Sequence, residues 1–329
     1  MNKHKLPSRP RVAKFLGLAA MAIYMMSCNP VDPNTELTDV IINNNSAELS
    51  QRVTMYGKNA SSNNTRSVTS KLVMPEVPTP EYDLIMDNNY KDWAAEAKNY
   101  LLPKGTVLTT GLQFKDNTYY IEGELTITNY WGKGTLIVMP GGKVNYPSNM
   151  PIHQLNIMSY GEFNITGKNK LNINSGSKVM ISGDFSYPNI WVGGKLYVSD
   201  GLTASILEIR EHAICRVDCS VQVDEYMILH NYADFTVGSY LSSPSIEMNS
   251  ASILQIEAGS LVSTKSLCLR NPCTVTVKGG DLEYAVLSAD KIEIHTGNIK
   301  EMFTFINTNN LSYIGRMLLQ KTSIQYYVE

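Results

Sequence analysis

The amino-acid sequence predicts an all-β protein wound as a single-stranded β-solenoid, or β-helix, of about 19–20 residues per coil. One observation is a recurring triplet with apolar residues two apart, the period of a strand with one buried and one wet face. Leu125-Thr126-Ile127, Leu136-Ile137-Val138, Phe163-Asn164-Ile165, Leu171-Asn172-Ile173, Leu196-Tyr197-Val198, Phe235-Thr236-Val237, Val275-Thr276-Val277 and Ile292-Glu293-Ile294 are copies. A second is glycine: Gly123, Gly134, Gly142, Gly161, Gly183, Gly194 and Gly280 punctuate the run, several of them two residues ahead of a triplet. The third is spacing. Triplets at Leu125, Val144 and Phe163 lie 19 residues apart, as do those at Leu136 and Leu155. Those at Leu196, Leu207, Cys215 and Val221 recur at Phe235, Ile246, Leu254 and Leu261, with offsets of 39, 39, 39 and 40, or two coils. A β-sandwich is the alternative, because it too shows short strands with turn signals every ~8–12 residues. Its strands run about 5–6 residues or more, whereas most segments here hold only three or four alternating positions.

The elements follow in order. Residues 1–27 read as a lipoprotein signal peptide: Lys3, Lys5, Arg9, Arg11 and Lys14 precede an uncharged run from Phe15 to Met26. That run is short for a membrane span, which needs about 20 residues. It closes on Met25-Met26-Ser27-Cys28, which resembles a bacterial lipobox with Met25 where Leu is usual, and implies lipidation of Cys28. An ordinary signal peptide is the alternative. Asn29, rather than Asp, follows the cysteine, which by the same analogy implies the outer membrane. Residues 28–80 read as a disordered tether, aperiodic and polar, with Pro75, Pro78 and Pro80 at its end. Residues 81–104 are expected to hold a capping helix. Tyr90, Trp93, Ala94, Ala97, Tyr100 and Leu101 share one helical face, and Pro103 stops it. A solenoid needs its open end covered, so Trp93 should face inward. Residues 105–298 form the solenoid. From 299 to 329 the rhythm fades, and Ile314, Met317 and Leu318 suggest a C-terminal cap of mixed structure.

Net charge is −2, with no basic patch to argue for nucleic acid. Besides Cys28 there are Cys215, Cys219, Cys268 and Cys273. Residues four apart on a strand lie about 13 Å apart, beyond the roughly 7 Å reach of a disulfide. Zinc-type spacing with histidine partners is also missing. Buried structural thiols are therefore expected, with no metal and no cofactor.

β-helices do carry polysaccharide lyases and hydrolases, and such chemistry needs paired carboxylates or a base near a cation. The densest candidate is Glu208, Arg210, Glu211, His212, Arg216 and Asp218, with Glu247 repeating Glu208 two coils on. Glu208, Arg210, Arg216 and Asp218 alternate with apolar neighbours, as a solvent-facing strand would, so no catalytic residue is assigned. For binding, Tyr130, Trp131, Tyr146, Tyr160, Tyr187 and Trp191 fall at or near expected turns, where rings can stack on sugars. Bracing of the turns is the alternative reading.

The lipobox-like start, the polar tether, Leu101-Leu102-Pro103-Lys104-Gly105-Thr106 and the Gly-x-Leu-x-Ile triplets resemble the β-solenoid region of Bacteroidetes cell-envelope lipoproteins, including the LruC-domain-containing group. That group's acidic, aromatic C-terminal domain has no counterpart here. The resemblance implies an outer-membrane lipoprotein, at the cell surface or periplasmic face, of adhesive or scaffolding function. Its partners would be the membrane, through the N-terminal lipid, and a glycan or another envelope protein. A carbohydrate-active enzyme on the same scaffold is the alternative.

Overall fold

The computed structural model describes residues 72–87, 90, 98–257, 260–270, 273–278, 286–295, 303–306, 318–320 and 323–327. The chain divides into Met1–Asn43, wholly outside the described residues, and Asn44–Glu329, to which everything below refers. The signal peptide, Cys28, the tether up to residue 71, Trp93, Gly280, Ile314 and Met317 lie outside the described residues.

Alternation of apolar and polar residues dictates strands, and the described elements are all strands, stacked as a β-solenoid of about nine turns. Their pairings are parallel, in a 14-stranded and a 10-stranded ladder. A hairpin-connected sandwich would be antiparallel, so the ladder excludes it. In the central coils each residue sits over its counterpart one coil back. Leu196, Cys215, Phe235, Leu254 and Val275 form one such row, each a single coil beyond the last. Leu202, Val221, Leu241 and Leu261 form another, and Leu207, Met227, Ile246 and Leu267 a third. Phe235 thus lies two coils from Leu196, and Leu254 two coils from Cys215, as the repeated block in the sequence predicts.

Three extended segments make up a coil. Leu202–Ile209 bends at a register shift between Ala204 and Ile206, which splits it into a first and a second face. Ile214–Val217 supplies the third. The rows just named point inward and are buried, each Leu, Ile, Val or Phe contributing roughly 1.5–3 kcal/mol. Buried hydroxyls at the bends are satisfied by nearby carbonyls: Ser243 Oγ donates to Ser245 O at 2.9 Å, and Ser159 Oγ to Gly161 O at 2.9 Å.

The corner between the second and third faces is a repeated turn. Ala213 N–H donates to Arg210 O at 3.0 Å, Ala233 to His230 at 3.1 Å, and Ser252 to Asn249 at 3.1 Å. The third residue of each turn is left-handed: His212 at φ 60°, Tyr232 at 60° and Ala251 at 58°. Glycine fills the same position in earlier coils, as Gly176 does at φ 83°. The residue after it is small and buried: Ala213, Ala233 and Ser252; Cys273, also buried, is the counterpart of Ser252 one coil on.

Other glycines answer to close approach. A Cβ on Gly161 would overlap the carbonyl oxygens of Gly142 and Met139 in the coil behind, and one on Gly194 those of Ser177 and Asn174. These are backbone atoms, which cannot swing aside.

Four expectations are corrected. Tyr100–Leu102, placed on the capping helix, is a buried strand paired with Tyr119–Ile121 and, through its first two residues, with Leu84–Ile85. A short apolar run of this kind fits either element, and stacking decides it. The ladder also runs past residue 298: Phe303–Ile306 continues from Val275, and Leu318–Gln320 and Ser323–Tyr327 stack on Val286–His295. The rhythm fades there because the coils lengthen: Phe303 is the counterpart of Val275 and Leu318 that of Val286, both well beyond the earlier spacing. Leu136 pairs with Ile157, not Leu155, because that coil is slightly longer than the one before it. Finally, the last part of the tether, 72–80, is laid against the solenoid. The Tyr160 hydroxyl lies 3.1 Å from Pro75 O and 3.0 Å from Glu76 O, and the Met74 backbone hydrogen-bonds Tyr197. This strap crosses an outward row of the third face that is apolar at its start (Leu101, Tyr120, Ile137, Met158, Met180, Tyr197) and polar from Arg216 on.

Two substitutions test this geometry by urea or thermal unfolding. Ala251→Gly relieves the left-handed strain and should stabilise the protein by about 0.5–1 kcal/mol. Gly161→Ala forces two coils apart and should destabilise it by about 1–3 kcal/mol.

Candidate binding face

The outward side of the second face brings aromatic and charged groups together. Within Asn189–Val192, Ile190 and Val192 are buried, so alternation turns the half-buried Trp191 outward. Parallel register then stacks Asn172, Trp191, Glu208, Ile228, Glu247 and Cys268 along this face. Lys170 Nζ stands 3.2 Å from the Trp191 ring centroid and Arg210 Cζ 4.6 Å from it. Arg210 Nη1 also pairs with Glu208 Oε2 at 3.3 Å. His230 Nε2 reaches the same oxygen at 3.3 Å. A carboxylate only accepts, so the bonding proton is on Nε2. Two coils beyond Glu208, Glu247 accepts from Arg270 Nε at 3.2 Å, repeating the pattern.

The predicted charged cluster is divided by the corner. Glu208 and Arg210 belong to the second face. Glu211 and His212 are in the turn, where exposed His212 stacks on Tyr232 with centroids 4.9 Å apart. Arg216 and Asp218 are on the third face. There Arg216 Nε donates to Asp218 Oδ1 at 2.6 Å and the Tyr197 hydroxyl to Asp218 Oδ2 at 2.6 Å. Burial, and then Asp218 beside it, push the Tyr197 phenol up to about 12.

The six aromatic candidates do not share one side, and several stand in strands rather than turns. Tyr146 lies in Lys143–Pro147, fully buried between Tyr130 and Phe163. Tyr130 is part of the same file of rings; its hydroxyl donates to Pro151 O at 2.9 Å and accepts from His153 N–H at 2.6 Å. Burial raises the phenols of both above their ordinary value. Tyr187 is buried and bonds Asn169 O. Tyr160 holds the strap. Trp131, 55% exposed, lies in the strand Glu124–Val138, whose register against Val107–Ile121 shifts twice. Of the six, Trp191 is the one flanked by cations among the described residues.

No disulfide joins the four described cysteines. Cys215 is an inward residue whose thiol burial pushes well above its ordinary value; Cys273 is raised to about 12 for the same reason. Among the described residues no group of three or more His, Cys, Asp or Glu is placed to hold a metal ion, and no helix is long and apolar enough to cross a membrane. No family model, curated protein or solved structure matches this chain.

The raised phenols carry a pH dependence. Tyr197 ionises near 10 when unfolded and near 12 when folded, so its contribution is complete below pH 10 and disappears as pH rises through 12. Ultraviolet titration should show tyrosines of the native protein ionising later than those of the urea-unfolded chain. Stability should fall across that interval and less steeply in Tyr197→Phe.

Proposed function

We propose that the chain is a lipid-anchored cell-envelope protein that binds rather than catalyses. In this reading Cys28 carries the lipid, residues 28–71 space the solenoid from the membrane, and the solenoid is an adhesive or scaffolding body. The resemblance to Bacteroidetes envelope lipoproteins and the residue after Cys28 support the outer membrane. The second face binds a glycan or another envelope protein. The observation that carries the binding reading is Trp191, an outward indole held on a rigid parallel sheet between two cations. Indole presents apolar area and one donor at low conformational cost, as recognition surfaces require.

A polysaccharide lyase or hydrolase is the second reading, favoured by Glu208 beside His230. Against it, the one Glu208 oxygen that meets the histidine also meets Arg210, so the carboxylate is already paired with a cation. Glycan-array binding without turnover supports the first reading. Release of unsaturated sugar products, lost in Glu208→Gln, would replace it with the second.

Acylation is tested separately. Mass spectrometry of the mature protein should find a diacylated Cys28 at the N-terminus, and Cys28→Ala should move the protein from the membrane fraction to the soluble one. An unmodified Cys28 removes the anchor from the account.

A further inference from the structure

Three successive coils converge on the Trp191 ring. Lys170 immediately precedes Leu171, which is paired with Ile190; Arg210 immediately follows Ile209, which is paired with Val192. The ring is therefore fixed by its own strand and the cations by the strands on either side. Arg210 is 43% exposed and spends Nη1 on Glu208. Lys170 is exposed, and its ammonium has no ion-pair partner among the described residues. Lys168 is exposed on the same loop, between Gly167 and Lys170. Two cations, Lys170 and Arg210, thus meet one carboxylate, Glu208, at the ring, in a chain whose net charge is −2.

Two like charges against one indole repel each other, and lysine's long stem resists being held in one rotamer. Aromatic packing alone gives no reason for both. An anion seated between them removes the repulsion, and the guanidinium N–H groups that Glu208 leaves free can donate to a carboxylate or sulfate. The indole face suits the C–H face of a sugar ring. We propose that Trp191, Lys170 and Arg210 form a subsite for an anionic sugar residue. The ring stacks on Trp191, and its carboxylate or sulfate is taken by Lys170 and Arg210. This rests on the reading of the second face as a glycan-binding surface. Lys170 covers the indole in the free protein and turns to the anion when the sugar arrives.

The test is calorimetric titration of the full chain with polygalacturonate, dextran sulfate, neutral dextran and polyglutamate. Polygalacturonate or dextran sulfate should bind, and which one binds identifies the acidic group. Neutral dextran and polyglutamate should not. Lys170→Ala and Arg210→Ala should each weaken binding about tenfold or more, as loss of a charge-assisted hydrogen bond does. Trp191→Ala should abolish binding, and Trp191→Phe should restore most of it. Lys104→Ala, in a distant turn, should bind as wild type. Trp191 faces outward, so these variants should keep the wild-type far-ultraviolet circular dichroism spectrum. Neutral dextran bound as tightly through Trp191 would overturn the anionic subsite and leave the glycan reading standing. Polyglutamate bound equally well, or anionic polymers held as tightly by Trp191→Ala, would overturn the stacked sugar. If no polysaccharide binds, the subsite and the glycan reading fall together.

Discussion

Each coil advances by one strand spacing, about 4.8 Å, and this constraint governs the rest of the structure. Every backbone group of the ladder must meet its partner in the coil behind, so the chain returns to the same lateral position after each circuit. Inward side chains become rows: Leu196, Cys215, Phe235, Leu254 and Val275 occupy one site five times. Room at the corners is fixed too. Ala213, Ala233 and Ser252 are small and fully packed behind the turn, and Gly161 and Gly194 lack a Cβ because a carbonyl occupies its place. The buried cysteines need no chemistry to explain them, since they fill positions that Phe235 or Ser252 fills elsewhere.

The same alternation yields three environments. Inward residues make the core. Outward residues on the third face make a seam under the 72–80 strap, apolar from Leu101 to Met180 and polar beyond Tyr197, which still bonds the Met74 backbone. Outward residues on the second face meet no strap among the described residues. Their row of Trp191, Glu208 and Glu247 is flanked by Arg210, His230 and Arg270, with Trp191 and Glu247 partly exposed and Glu208 buried beneath its two basic partners. A strand pattern supplies all three, and only what lies over each face distinguishes them.

That explains what could be read from the sequence. The solenoid, the phase of its central coils and the two-coil repeat of Glu208 by Glu247 follow from alternation and constant spacing. Tyr100–Leu102 does not, because three apolar residues after Ala94 and Ala97 fit a helix as well as a strand. The strands beyond residue 298 escape because the longer coils leading to Phe303 and Leu318 break the period while the pairing persists. Pro75 and Pro78 suggest a free tether, and nothing local shows that Tyr160 and Tyr197 hold its backbone. The candidate face was half legible: Trp191 and Arg210 stand out singly. Their meeting with Lys170 depends on coil lengths that drift between Leu171 and Leu207, and that of His230 with Glu208 on a side chain reaching back from the corner of the next coil.

The central claim is that coils are interchangeable because they share one register. It is tested most directly by excising Ile214–Ser252, which joins Ala213 to Ile253, the successor of its structural equivalent two coils on. A second variant lacking Ile214–Ser242 breaks the phase. Urea unfolding followed by circular dichroism should show a cooperative β-fold for the in-phase deletion and none for the other. Loss of folding in both, or its survival in both, would contradict the shared register.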